Sequence, residues 1–319
     1  MTFNLAPGGG ATGSRPCSCE CGCVTRARRY PSDLTDEQWA ELEPLLPVML
    51  CDTELGGRPE RHWRRTMIDA LFYVLDSGCK WRSLPGDFPP WKTVYSLFAR
   101  WTADGAFAVV TDLLRARVRR AEGREAEPSA AIMDAQSVQR CAEGTMGAAA
   151  VGYDRFKKVT GCKRHVLTDT GGLLIAIVVT PAGVQDRAGA ALLLKAARAA
   201  GRTRLAHAWA DQGYAGQWRH WAQRELGVTV EIVAQHPAQK GFRVLPRRWV
   251  VERTHAWITR RRRCARCYER LPAHHAAWAH LAAIFQMTRR LAAARDDNPS
   301  PHQSLKTASD STGKPKHIR

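Results

Sequence analysis

The stretch KRHVLTDTGGLLIAIVVTPAG, residues 163–183, decides the fold class of this chain. It holds two runs that read as strands, of which the second is rich in Val, Ile and Leu, and Gly171 and Gly172 separate them. Such runs joined by a glycine pair predict a β-hairpin, because glycine takes the backbone conformations that a tight turn requires. This part of the chain should therefore belong to a β-sheet.

Further strand patterns flank the hairpin on both sides. AAIMDAQSV at 130–138 precedes it, while RLAHAWADQGY at 204–214 and VTVEIVAQ at 228–235 follow it. Helical patterns separate the later strands, and the clearest is DRAGAALLLKAARAAG at 186–201. The order strand, strand, strand, helix, strand, helix, strand, helix predicts a mixed α/β sheet covered by helices.

The region before this sheet has a helical pattern. Thr35 and Gln38 have the spacing of a capping box, which predicts that a helix begins at Thr35. The segment 62–78 carries apolar residues at helical spacing and ends at a glycine, and another helix is predicted at about 107–120. The charged segment that follows, 122–129, predicts a linker between two domains.

One of these helices has two open interpretations. The segment PPWKTVYSLFARW, residues 89–101, places its apolar residues along one face and polar residues, including Lys92 and Arg100, on the other. This arrangement suits the recognition helix of a helix-turn-helix unit, which offers polar side chains to a DNA groove. It equally suits an ordinary amphipathic helix with a solvated face.

The charge balance favours a polyanionic partner. The 48 Lys and Arg residues outnumber the 30 Asp and Glu residues, which leaves a formal net charge of +18. Nucleic acid is the leading candidate for a partner of such a chain. No stretch reaches the roughly 18 apolar residues of a membrane span, and the first residues lack the apolar core of a signal peptide. We therefore expect a cytoplasmic protein with no membrane partner.

The ten cysteines do not show the spacing of a metal site. The run CSCECGC at 17–23 alternates, whereas zinc sites use C-x2-C pairs. Cys264 and Cys267 do form such a pair, in a segment predicted as helix, but no second pair follows at a suitable distance. We expect reduced thiols at the following positions: Cys51, Cys79, Cys141, Cys162, Cys264 and Cys267.

Three carboxylates stand out by their surroundings. Asp134 interrupts an apolar strand, Asp211 closes another, and Glu252 lies in the apolar middle of the arginine-rich stretch RRWVVERTHAWITRRRR, residues 247–263. For each one alone, a buried ion pair remains a serious alternative, because a buried charge needs a counter-ion. Together they could hold two hard divalent cations such as Mg2+. Two such ions can stabilise both the attacking and the leaving oxygen of a displacement at phosphorus.

A series of motifs from about Tyr30 to Leu291 resembles the DDE-type transposases of bacterial insertion sequences, in particular the insertion-sequence-five group. The motifs, in order, are YPSDLTDEQW, PLLP, GCKWRSLPGDFPPWKTVY, MDAQSV, GYDRFKKVTGCKRHVLTDT, ADQGY, RWVVERTHAW and YERLP. Their order and spacing together carry the resemblance. The family-like sequence begins sharply, so an alternative start at Val24 is one hypothesis for the residues before it.

The resemblance implies a ribonuclease H-like mixed-sheet catalytic core, preceded by an all-α, helix-turn-helix-like domain that recognises the ends of the mobile element. It implies that Asp134, Asp211 and Glu252 are the catalytic, metal-binding triad, with two Mg2+ or Mn2+ ions per site. Related transposases often place a Tyr and a basic residue around the helical glutamate together with an Arg. Arg248 fits the Arg position, but Leu245 and Thr259 depart from the other two.

The resulting expectation is a cytoplasmic, nucleoid-associated transposase that binds double-stranded DNA as a homodimer or higher oligomer. It should cleave the element's terminal inverted repeats and join them to target DNA. The alternatives are a metal-dependent nuclease of the same fold that cuts without joining, and a DNA-binding regulator or decayed transposase with structural carboxylates.

The expected domains are a disordered extension at 1–29, a helical DNA-end-binding domain at 30–121, a linker at 122–129, the catalytic domain at 130–293 and a disordered polar tail at 294–319. Besides Lys92 and Arg100, basic residues of the core are candidate phosphate contacts, although each could instead belong to a solvated basic surface. These candidates are Lys157, Lys158, Lys163, Arg164, Arg248, Arg253, Arg260, Arg261, Arg262 and Arg263.

Overall fold

The structure, a computed structural model, describes residues 27–48, 54, 56, 60–141, 147, 150–233 and 246–296. The disorder predicted for 1–29 and 294–319 falls mostly outside these residues. At the C-terminal end, the last helix continues through residues 294–296, which the disorder prediction included.

The N-terminal part is helical, and the rest alternates strands and helices. The elements are α1 (Asp36–Leu42), α2 (Arg64–Ser77), α3 (Trp91–Ala103), α4 (Ala106–Ala121), β1 (Ala130–Gln139), β2 (Gly152–Asp154), β3 (Val159–Asp169), β4 (Leu174–Pro181), α5 (Asp186–Ala199), β5 (His207–Ala210), α6 (Trp218–Leu226), β6 (Thr229–Ile232), α7 (Pro246–Thr259), α8 (Arg262–Ala265) and α9 (Pro272–Asp296).

The first helix begins, and the second helix ends, where their sequences predict. The Gln38 backbone N–H donates to the Thr35 hydroxyl, and the Thr35 N–H donates to the Gln38 side chain, so both halves of the capping box form. At the end of α2, Gly78 has a φ of 68°, the left-handed conformation that closes a helix without a steric penalty. Local sequence signals therefore determine these boundaries.

The N-terminal helices share their core with the last helix of the chain. Helices α1 to α4 all pack against α9, whose Trp278 is fully buried and stacks on Phe98 of α3, with ring centroids 4.5 Å apart. Phe72 of α2 meets Phe285 of α9 edge-to-face at 4.9 Å. The domain boundary at 122–129 stays a prediction. A domain that ended there would share its hydrophobic core with α9, which lies at the other end of the described chain.

The sheet has the mixed topology that the strand order predicts. Strands β3 and β4 form the antiparallel hairpin, β3 also pairs antiparallel with β1, and β5 and β6 add in parallel on the far side of β1. The main path is β2-β3-β1-β5-β6. The expected ribonuclease H-like, mixed α/β core is confirmed. The three-residue strand β2 was not predicted.

Helices cover both faces of the sheet, and the alternation of β1 assigns its side chains to them. Ala131 and Met133 pack into the core formed with α5 and α6, whereas Ile132 packs with Val251 of α7 on the opposite face. Because side chains alternate along a strand, Asp134 lies on the same face as Ile132. That face is the one that α7 covers.

Two cysteine predictions are wrong. Cys162 of β3 and Cys267 form a disulfide, whereas both were expected to be reduced. Helix α8 ends at Ala265, so the predicted helix does not include Cys267, which instead forms a parallel bridge with Arg140 beside the end of β1. Among the described residues, the thiols without a disulfide are Cys79, Cys141 and Cys264. Cys51 and residues 17–23 lie outside the described part.

Of the described helices, none combines the length and the apolar character that crossing a membrane requires.

Candidate active site

Sheet register brings the two aspartates next to each other. In the parallel pair of β1 and β5, Ile132 lies opposite Trp209. Asp134 and Asp211 each follow by two residues, so the same register would place them opposite each other, on strands that neighbour at roughly 4.8 Å. The described pairing of the two strands ends at Ile132 and Trp209. The aspartates therefore lie where the strands separate, at the carboxyl end of β5.

Glu252 reaches the same place from α7. Its neighbour Val251 is buried against Ile132 of β1, whereas Glu252 itself is exposed. All three predicted carboxylates line one small cavity, together with apolar residues of β1 and β5. The structure thus brings together Asp134, Asp211 and Glu252, which are far apart in the sequence.

Helix α7 contributes a second residue to this site that sequence reasoning missed. His255, one turn after Glu252, is buried, and its Nε2 lies 3.4 Å from Oδ2 of Asp134. Burial raises the pKa of Asp134, but His255, the Ala135 backbone N–H and Lys157 outweigh it, so that this pKa lies below its ordinary value. Asp134 is therefore ionised at neutral pH. The spacing of His255 from Glu252 along one helix face was the available signal.

Asp211 is held by its own backbone. Its side chain accepts a hydrogen bond of 2.9 Å from the Gly213 N–H and so caps the short 3-10 turn at 212–214. This turn buries Tyr214, whose pKa is raised well above its ordinary value by burial and by the negative charges of Asp134, Asp186 and Asp211. Negative charge therefore accumulates at this end of the sheet.

The residues present fit a hard divalent cation. Carboxylate oxygens are the ligands that Mg2+ prefers, and it usually takes one or two carboxylates per ion and leaves other positions to water and phosphate. The oxygens of the three carboxylates do not all lie within 4.8 Å of one another, since the described residues contain such a group only at Cys162, Cys267 and His275. This separation of the carboxylate oxygens suits two ions that share the site. It suits a single ion enclosed by all three carboxylates less well.

A basic turn between β2 and β3 lies next to the Asp134 strand. Lys157 is exposed, and its Nζ donates a hydrogen bond of 3.1 Å to the carbonyl of Ala135, the residue after Asp134. Asp154 shapes this turn by accepting from the backbone N–H groups of Phe156 and Lys157 at 3.0 and 3.1 Å. The turn therefore places a cation close to the carboxylates.

Asp154 is itself locked in place. Ser137 donates to its Oδ2 at 2.5 Å, and Nζ of Lys163 lies 3.4 Å from the same oxygen. Burial raises the pKa of Asp154, but the hydrogen bonds from Ser137 and the Lys157 N–H, and the charge of Lys163, lower it to about 2. The carboxylate is ionised at neutral pH and ties the turn to β1 and β3.

Three of the predicted phosphate contacts have side chains that are buried in internal interactions, which argues against their contact with DNA. Lys163 donates to the Val184 carbonyl and to Asp186, both at 2.9 Å. Arg164 is 0% exposed and donates to the Cys264 carbonyl. Arg263 pairs with Glu269 at 2.6 Å. These side chains are not presented on the surface of the chain.

Other predicted contacts divide by exposure. Arg253 is partly buried, donates to the Gly171 carbonyl at 3.0 Å and lies over the rings of Trp249 and Trp257, and Arg261 pairs with Asp76. Six predicted residues have exposed side chains: Lys92, Arg100, Lys157, Lys158, Arg260 and Arg262. The side chain of Arg248 lies outside the described part of the chain.

The apolar face of α3 is buried and its polar face is exposed, as both interpretations of that helix require.

Comparisons with known proteins identify the family. Residues 34–111 match the family model described as "Putative transposase of IS4/5 family", and residues 125–287 match the model described as "Transposase DDE domain". No solved structure is significantly similar to the chain.

Two relatives come from Burkholderia cepacia. The "Putative transposase for insertion sequence element IS402" is 32% identical over 127 residues, which are 38% of this chain and 60% of that protein. The "Insertion element IS402 uncharacterized 16.2 kDa protein" is 27% identical over 113 residues, 35% of this chain and 76% of that protein. The chain therefore spans less than two thirds of the first relative. Because the DDE-domain model covers more than half of the 319 residues, this chain belongs to the DDE-type insertion-sequence transposases.

Proposed function

We propose that this protein binds the terminal inverted repeats of an insertion sequence, cleaves the DNA at the element ends and joins those ends to target DNA. The observation that carries the proposal is the convergence of Asp134, Asp211 and Glu252 on one cavity at the carboxyl end of β5. The match of this chain to the DDE transposase domain supports the same chemistry. We assign the three carboxylates as catalytic residues that hold two Mg2+ or Mn2+ ions.

In the proposed reaction, water attacks a phosphodiester at the element end and frees a 3′-hydroxyl, which then attacks a phosphodiester of the target. Bound divalent ions would supply Lewis-acid stabilisation of the attacking and leaving oxygens. Asp134, ionised at neutral pH, offers its oxygens from β1, and Asp211 offers its own from the end of β5. His255 acts as a positioning residue, because it lies beside Asp134 and is itself fixed by burial.

Exposed cations of the core would hold the DNA backbone. Lys157 and Lys158 lie on the turn next to Asp134, and Arg260 and Arg262 follow the end of α7. Such residues contribute affinity without reading sequence. We propose that recognition of the element ends belongs to the helical region 30–121, where the exposed face of α3 carries two further cations. A dimer or higher oligomer on DNA would let both ends react together.

The decisive experiment measures cleavage of labelled double-stranded DNA that carries the repeats flanking the coding region. The variants are Asp134→Asn, Asp211→Asn and Glu252→Gln, and the matched control is Glu225→Gln, an exposed carboxylate on α6. We expect the three site variants to lose cleavage by orders of magnitude and the control to retain it. Metal-free DNA binding should survive in all four, because every substituted residue is acidic.

Stability provides an independent measurement on the Glu252 variant. Carboxylates held close together repel each other, so neutralising Glu252 should leave the metal-free melting temperature unchanged or higher. If Glu252 were a structural counter-ion, Glu252→Gln would melt lower and still cleave. That result would remove Glu252 from the proposed triad.

Two further assays separate the alternatives. A pre-cleaved element end mixed with target DNA gives a joined product with a transposase and none with a nuclease that only cuts. Calorimetric titration with Mg2+ that detects no binding would favour a regulator whose carboxylates are structural. We expect joined product and saturable metal binding.

A further inference from the structure

A second group of metal-binding side chains lies away from the carboxylate cavity. Cys162 of β3, Cys267 after α8 and His275 of α9 are all buried, and each offers a ligand atom within 4.8 Å of the others. No other group of His, Cys, Asp and Glu among the described residues meets this distance. In the structure the two sulfurs are joined as a disulfide.

His275 is the observation that points to a ligand. Its side chain is 1% exposed, and neither Nδ1 nor Nε2 has a hydrogen-bond partner. Burial and the guanidinium groups of Arg164 and Arg263 lower its pKa to about 3, so the ring is neutral. A buried polar ring without a partner is unfavourable. A neutral imidazole with an available nitrogen lone pair is also the form that binds metals.

We propose that Cys162, Cys267 and His275 bind a zinc ion when the two cysteines are reduced. Thiolate sulfur and imidazole nitrogen are the ligands of structural zinc sites. The Cα atoms of the two cysteines lie 6.7 Å apart, near the wide end of the separations that disulfides span. This spacing suits two sulfurs that sit about 3.8 Å apart on a tetrahedral ion with bonds of about 2.3 Å.

The remaining tetrahedral position has a candidate ligand nearby in the sequence. Cys264 is buried, carries a thiol without a disulfide, and precedes Cys267 by three residues in the C-x2-C spacing of zinc sites. Arg164 donates to the Cys264 carbonyl at 2.9 Å and so fixes the backbone there, but the Cys264 sulfur does not lie within 4.8 Å of all three ligand atoms in this structure.

The chemistry balances with an external thiol as reductant. Two molecules of a low-molecular-weight thiol transfer two electrons and two protons to the disulfide, become a disulfide themselves, and leave Cys162 and Cys267 as thiols. Zinc then binds both sulfurs as thiolates and displaces the two protons to solvent. The same pair of cysteines therefore crosslinks the fold in either state.

The position of the site indicates what the ion would stabilise. Cys162 lies opposite Val138 near the end of β1, and Cys267 bridges to Arg140 just beyond it. His275 lies in the first part of α9, which packs against the N-terminal helices. Zinc would thus join α9 to the end of β1, the strand that carries Asp134.

The test uses the full chain with Cys17, Cys19, Cys21 and Cys23 replaced by Ser, so that the N-terminal cysteine run cannot bind the metal. This parent is reduced with a thiol, and the thiol is then removed under anaerobic conditions. The reduced protein is titrated with zinc in competition with a chromogenic chelator. Variants in the parent are Cys162→Ser, Cys267→Ser and His275→Leu, and the matched control is Cys79→Ser, a thiol outside the group. Mass spectrometry after alkylation confirms that the thiols are reduced.

We expect the parent and the control to bind one equivalent of zinc tightly. Affinity should fall by more than about 100-fold in the three variants, since even the loss of an outer-shell partner costs up to about that much. His275→Leu guards against misfolding as an explanation, because it removes a ring without hydrogen-bond partners and should leave the metal-free melting temperature unchanged or higher. Zinc should raise the melting temperature of the parent and not of this variant.

Two results would overturn the proposal. One is a fully reduced parent that binds no zinc. The other is zinc binding that His275→Leu and Cys162→Ser leave unchanged, which would place the metal elsewhere. Both outcomes are independent of DNA cleavage, so they do not depend on the proposed function.

Discussion

Replacing Asp154 with Asn should cost the protein a predictable and pH-dependent part of its stability. The pKa of Asp154 falls from 3.8 to about 2 because the hydrogen bonds and the Lys163 charge outweigh the effect of burial. This depression of the pKa corresponds to a stabilisation of about 2 kcal/mol at neutral pH. The folded-state pKa is depressed, so this contribution is present above about pH 4 and is lost as the pH falls toward 2.

The assay is urea denaturation of the wild type and of Asp154→Asn at pH 7 and at pH 3. Asn keeps an oxygen that can accept from the backbone of the turn but cannot carry the charge, so it approximates the protonated carboxyl. We expect the free energies of unfolding to differ by about 2 kcal/mol at pH 7 and by about half as much at pH 3. A difference that is equal at both pH values, or absent at pH 7, would refute the assignment of Asp154 as a stabilising buried charge.

Three further predictions concern binding and packing. If α3 contacts DNA phosphates, the double substitution of Lys92 and Arg100 by Ala should reduce the dependence of log affinity on log salt by about 1.8, and an unchanged slope in an anisotropy titration would make α3 an ordinary amphipathic helix. Gly161→Ala should lower the urea midpoint, because the added Cβ would meet a backbone carbonyl oxygen of β1 at 2.0 Å, whereas Gly86→Ala, with nothing within 4 Å, should leave it unchanged. Asp169→Asn should lower the free energy of unfolding by about 3–5 kcal/mol, because it leaves the buried Arg119 without its counter-ion. A decrease of under about 1 kcal/mol in urea denaturation would contradict this.

Features encoded over short distances were predictable from the sequence. The hairpin turn at Gly171 and Gly172, the capping box at Thr35 and the strand that ends before Asp211 all follow from neighbouring residues, and the structure has each of them. The three carboxylates were also predictable as candidates, because a charged residue within an apolar pattern is conspicuous wherever the chain folds. Their convergence on one cavity required the sheet register, which sequence periodicity does not contain.

The basic residues of β3 show why the remainder was not predictable. Periodicity distinguishes a solvated face from a buried face only when one face is exposed, and nearly every residue of β3 is buried because helices cover both sides of the sheet. Lys163 and Arg164 are therefore enclosed, and each depends on partners that are distant in the sequence, such as Asp186 and Gln136. Similarly, Cys162 and Cys267 are separated by 105 positions, so local cysteine spacing could not indicate their pairing.

The hairpin that determines the fold class also positions the third carboxylate. Asp134 is fixed by the pairing of β1 with β3, and Asp211 by the turn that follows β5, but Glu252 depends on how α7 docks. The hydroxyl of Thr254 donates to the Gly172 carbonyl at 2.7 Å, and Arg253 donates to the Gly171 carbonyl, so the carbonyls of the glycine turn hold the helix. Gly172 has a φ of 84°, and a Cβ there would lie 3.0 Å from the Thr254 hydroxyl oxygen. A side chain at Gly172 would therefore strain the hairpin turn and push on α7, which would change the distance between Glu252 and the aspartates. Glycine suits this position because it avoids both effects.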